Sequence, residues 1–128
     1  SAATYENYAN YPRERDSIIQ LITAENIPGV IFLSGDRHNT ELSKLERPGT
    51  YPLYDLTISP LTAGINTHAH EEANTLRVDG TLYEGRNFAV VNVSGTAKER
   101  QLTIYVYNTA GEEIWTRIIK AAELKKAK

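Results

Sequence analysis

Four large apolar residues in a row, Val30-Ile31-Phe32-Leu33, stand between Pro28-Gly29 and Ser34-Gly35-Asp36-Arg37-His38. The run is too short for a helix, is β-branched and aromatic, and has breakers on both sides. That predicts a buried β-strand. Its carboxyl end delivers Asp36 and His38, and in open α/β sheets ligands bind outside the carboxyl ends of strands. A carboxylate and an imidazole suit Zn, Mn, Fe or similar ions, although a metal site needs three or four ligands. The same residues also describe an ordinary turn, with Asp36 capping it and His38 bonded to a backbone carbonyl.

The flanking segments supply the rest of an α+β pattern. Tyr5, Tyr8 and Tyr11 open the chain in an Asn-rich setting, and Pro12 suits the first turn of a helix. Ile18, Leu21, Ile22 and Glu25 fall at helical spacing, with Ile19 widening the stripe. Asn26 is a left-handed stop and Pro28 forbids continuation, so the helix spans residues 12–25. After His38, Glu41 to Leu45 reads as a helical turn or a loop, punctuated by Arg47-Pro48-Gly49. Tyr51 to Ser59 alternates like a strand with one wetter face and stops at Pro60. Residues 61–86 show no clean period and read as a long loop, of the kind that is functional or lacks its partner. Val78-Asp79-Gly80-Thr81 reads within it as a small hairpin turn. Phe88 to Val93 is nearly continuously apolar, which predicts a central strand. Leu102 to Tyr107 and Ile114 to Ile119 alternate around the turn Asn108-Thr109-Ala110-Gly111, giving an antiparallel hairpin and, with the preceding run, a three-strand meander. The tail from Lys120 to Lys128 is expected to fray.

With 128 residues the chain has the size of one domain. A net charge of −2 argues against non-specific binding to nucleic acid. No apolar run reaches membrane-spanning length. Cysteine is absent, which removes thiolate ligands and disulfides. Methionine is absent as well, and the chain opens Ser1-Ala2-Ala3-Thr4, so it is expected to be a piece of something longer. One helix covers only part of one sheet face. A bare face and open strand edges invite pairing with another copy, so a homodimer or swapped assembly is expected.

Other candidate chemistry is sparse. In His68-Ala69-His70-Glu71-Glu72, alternate histidines on an extended segment would point the same way and share a metal; the plain alternative is a polar surface loop. Arg37 and Arg86 are candidates for binding an anionic substrate. Asn92-Val93-Ser94 matches a glycosylation acceptor by accident, at the end of a predicted buried strand. There is no Gly-rich phosphate loop and no Gly-x-Ser-x-Gly elbow.

Several stretches taken together resemble one family. Val30-Ile31-Phe32-Leu33-Ser34-Gly35-Asp36-Arg37-His38 with Glu41-Leu42 is similar to the last metal motif of alkaline phosphatase D-like proteins, which are calcineurin-like metallophosphoesterases. Tyr54-Asp55-Leu56-Thr57-Ile58-Ser59-Pro60-Leu61-Thr62 resembles the strand that follows it there. Gly85-Arg86-Asn87-Phe88 and the hairpin from Leu102 to Trp115 resemble the family's C-terminal strands. The likeness runs from about Tyr8 to Leu124.

The resemblance implies the C-terminal part of an αββα sandwich, with one main helix followed by a mostly antiparallel sheet. It implies hydrolysis of phosphate mono- or diesters by a metal-bound hydroxide, with divalent or trivalent ions such as Fe, Ca, Mn or Zn. The superfamily's final motif is usually Gly-His-x-His, and here it reads Gly-Asp-Arg-His. His38 takes the place of the last histidine as a metal ligand. Asp36 replaces the first, and the substitution leaves it open whether it ligates metal, orients a ligand or touches substrate. Arg37 and Arg86 would hold the substrate. The family's Asp-x-His, Gly-Asp-x-x-Asp and Gly-Asn-His-Asp/Glu motifs are not in this chain, so it is expected to be inactive by itself. Exported relatives suggest a secreted or periplasmic setting. The competing expectation is a non-enzymatic α+β interaction module in which Asp36 and His38 are structural.

Overall fold

A computed structural model describes residues 7–126. Residues 1–6, with the expected Tyr5 of the opening segment, and residues 127–128 of the tail lie outside the described residues. The fold is α+β, one helix with two small sheets. Helix α1 spans Pro12–Ala24, with Pro12 in its first turn. Asn26 ends it at φ 50°, as its left-handed stop predicts. Ile22 is buried and Ile18 and Ile19 are half-buried against the core, but Leu21 is exposed, so the apolar stripe is narrower than the sequence suggests.

The first sheet holds β1 (Ile31–Ser34), β2 (Glu41–Leu45) and β3 (Leu53–Thr57) in the order β1-β3-β2. β1 runs parallel to β3, pairing Ile31 with Tyr54 and Ser34 with Thr57, and β2 runs antiparallel to β3. The second sheet is the expected meander of β4 (Asn87–Ser94), β5 (Gln101–Asn108) and β6 (Glu113–Lys120). Leu42, Leu56, Ile104 and Val106 are fully buried, and with Ile22, Trp115, Ile119 and Leu124 they form one core that joins both sheets to the helix.

Other sequence expectations change as well. Glu41–Leu45 is a strand, not a helical turn or loop, because its backbone pairs with all of β3. β1 is an edge strand, not a buried one, with Leu33 68 % exposed. β4 is likewise an edge rather than the centre, and Phe88, Val90, Val91 and Val93 are all exposed. An unbroken apolar run measures how much could be buried on both faces, not whether anything covers them. The tail turns back as a 3₁₀ segment, Ala121–Leu124, that buries Leu124, with Gly29 N–H donating to Leu124 O at 2.8 Å.

Residues 61–86 are not an unsupported loop. They lie along the open side of β2, where Lys44 N–H donates to Leu76 O and Val78 N–H to Leu42 O, both at 2.8 Å. Thr40 and Tyr83 exchange backbone bonds of 3.0 and 2.8 Å. Glu41 pairs with Arg77 and accepts from Asn74 at 2.9 Å. Val78 to Thr81 forms a turn, with Gly80 at φ +72°, but not the expected hairpin, because both of its flanks bond to the Thr40–Lys44 segment instead of to each other. Among the described residues no helix is long and apolar enough to cross a membrane.

Candidate functional site

The loop from Gly35 to Thr40 carries the chain from β1 to β2. Gly35 sits close to β3's continuation, where an added Cβ would lie 3.3 Å from Ile58 O. Two non-glycine residues in this loop are left-handed, Asp36 at φ 61° and His38 at φ 59°. Each such conformation costs roughly 1 kcal/mol or more, and it persists only where surroundings over-determine it. The surroundings are visible. His38 N–H donates to Ser59 Oγ at 2.8 Å, and His38 O accepts from Asn66 N–H at 2.8 Å. Gly64 faces the ring, since a Cβ there would lie 3.9 Å from His38 Nδ1. Asp36 is exposed and His38 half-buried.

Beneath the loop lies a buried polar pin between the sheets. Thr40 Oγ1 donates to Asn87 Oδ1 at 2.7 Å, and Ser59 N–H donates to Thr40 Oγ1 at 3.2 Å. Asn87 Nδ2 donates to Ser59 O at 3.0 Å and to Gly85 O at 2.8 Å. Asn87 N–H also donates to Pro60 O at 2.9 Å, across the cis Ser59–Pro60 peptide. The first residue of β4 is thereby locked to the segment that holds His38. Asn39, next to His38, is 2 % exposed and its Oδ1 has no hydrogen-bond partner among the described residues.

The two arginines differ. The Arg37 guanidinium forms an ion pair with Glu72, whose other oxygen accepts from Asn66 Nδ2 at 3.2 Å. Arg37 thus braces the 59–72 segment against the loop. Arg86 is exposed and donates through Nε to Ala63 O at 3.1 Å, which sets its guanidinium beside the segment that faces the His38 ring.

The other histidines do not lie on an extended segment, although both approach Glu71 Oε1, His68 at 3.3 Å and His70 at 3.8 Å. Ala69–Glu71 is a 3₁₀ turn rather than an extended segment. His68 Nδ1 meets Glu71 at 3.3 Å, and His70 Nδ1 meets Glu84 at 3.0 Å. Asn92 lies on exposed β4 rather than on a buried strand. Among the described residues no group of three or more His, Cys, Asp or Glu side chains could hold a metal ion. Asp36 and His38 fit a metal as two donors of the right type and fall short of a complete set.

Near the site, Asp55 on β3 accepts from Ser34 Oγ at 2.8 Å. Burial pushes its carboxyl above the ordinary value, the neighbouring Glu41 charge adds to this, and the Ser34 hydroxyl offsets part of it. Sequence reasoning finds Asp36, His38, Arg37 and Arg86. It misses Ser59, Asn66, Glu72 and Asn87, which act from 21 to 49 residues away and carry no local motif. In comparisons, the chain matches no protein-family model, no curated protein and no solved structure.

Proposed function

We propose that this chain contributes part of the metal centre of an alkaline phosphatase D-like phosphoesterase, with His38 and Asp36 as two of its ligands. The observation that supports it is the left-handed pair at the end of β1, fixed through His38 by Ser59 and Asn66. A turn with no task would be relieved by glycine at these positions. In this reading the remaining ligands come from outside the described residues. Bound metal ions supply charge neutralisation for phosphoryl transfer. Arg86 binds the anionic ester beside Ala63, while Arg37, committed to Glu72, orders the loop. The ion pair of Arg37 with Glu72 also favours a second reading, a binding module in which the loop is structural.

Adding Mn²⁺ to the isotope-labelled chain and following paramagnetic broadening of its amides separates the readings. Broadening centred on residues 36–40 and abolished by His38→Ala is the expected result. Broadening centred on His68 and His70 moves the metal to that turn, and none at either place leaves the module. The chain alone is expected to hydrolyse p-nitrophenyl phosphate esters no faster than background with Mn, Fe or Ca. Robust metal-dependent turnover would contradict a site that is only partly present.

A further inference from the structure

We infer that the end of the second sheet far from His38 binds a multivalent phosphate anion, a conclusion that does not depend on the phosphoesterase reading. A cleft of about 330 Å³ there is lined by Lys98, Glu99, Arg100, Gln101, Lys120 and Ala122. Lys98, Arg100 and Lys120 have no ion-pair partner among the described residues. Three cations facing the single carboxylate of Glu99 in one concavity leave an excess of positive charge there, in a chain whose net charge is −2. Lys125 and Lys126 follow on the exposed surface.

The cations are placed by backbone, not strung on a free loop. β4 ends at Ser94, and Gly95 follows it at φ +85°, where any Cβ would lie 2.5 Å from Glu99 O. The turn closes with Glu99 N–H on Thr96 O at 3.1 Å. Ala121 N–H then donates to Arg100 O at 2.8 Å, and Gln101 pairs with Lys120 across the sheet. Lys98, Arg100 and Lys120 are therefore held around one volume. A guanidinium and two ammonium groups match phosphate oxygens by charge-assisted hydrogen bonds. No aromatic side chain lines the cleft, so it offers no stacking platform for a base. Its volume lies at the small end of ligand sites, which suits a short oligophosphate better than one phosphate ion. Glu99 is the opposing group, and it weakens anion binding without abolishing it.

Calorimetric titration of the full chain with inorganic tripolyphosphate at low ionic strength, with amide shifts recorded in parallel, tests this. Saturable binding with shifts confined to residues 98–101 and 120–122 is expected. The Lys98→Ala/Arg100→Ala double variant should bind about tenfold or more weakly, and Glu99→Gln about threefold more tightly. Amide spectra of both variants report whether they fold, and Glu99→Gln keeps all three cations. Vesicles whose only anionic lipid has a phosphorylated headgroup form the second arm. Binding to tripolyphosphate, with or without the vesicles, supports the site. Binding to vesicles alone, shifts centred on residues 36–40 and 63–66, or affinity unmoved by these substitutions would overturn it.

Discussion

At the residue scale, the left-handed pair is open to direct test. Asp36→Gly removes a Cβ from a conformation that glycine adopts freely. We expect it to be no less stable than the parent, with a gain of up to about 1 kcal/mol in urea unfolding. Asp36→Val, β-branched at φ > 0, should lose about 1–2 kcal/mol. A clear loss with glycine would mean that the Asp36 side chain itself holds the loop. Asp55 gives a pH prediction. Its folded-state pKa is raised, so its favourable contribution is complete below the ordinary Asp value of 3.8 and disappears as the pH climbs through the folded value. Asp55→Asn should therefore melt a few degrees higher than the parent at pH 7. The two melting curves should converge as the pH falls below 3.8.

At the element scale, the joint between the sheets rests on Asn87, at the start of β4. Its side chain serves Thr40, Ser59 and Gly85 in a buried setting. Asn87→Ala strands those partners and should cost about 2–4 kcal/mol, measured by denaturant unfolding. Elements with a local signal are legible in sequence. Pro12 and Asn26 bracket α1, and the alternation in Leu102 to Tyr107 and Ile114 to Ile119 gives the hairpin. β2 is not legible, since Glu-Leu-Ser-Lys-Leu is too short for either period to win. Residues 61–86 are opaque because their backbone, rather than a periodic set of side chains, attaches them to β2. The site divides the same way. The Gly-Asp-Arg-His end of β1 is visible, while Ser59, Asn66 and Asn87 reach it only through the tertiary fold.

At the scale of the molecule, β4 matters most. All eight of its residues, Asn-Phe-Ala-Val-Val-Asn-Val-Ser, are uncharged, and among the described residues it is paired on one side only. An edge without Lys, Pro or a bulge is a template for a further strand, and antiparallel pairing about a two-fold axis lets this edge pair with itself. We expect light scattering to detect a concentration-dependent dimer, and Val93→Lys, at a position 61 % exposed, to shift it towards monomer. A parent that stays monomeric at high concentration would refute this. The same strand separates the two candidate sites, with Asn87 under the His38 loop and Ser94 at the brink of the basic cleft. Eight residues of strand span roughly 24 Å. At physiological ionic strength charges are screened within about 8 Å. Occupancy at one pole should consequently leave the electrostatics of the other untouched, and added salt should silence the cleft while sparing inner-sphere coordination.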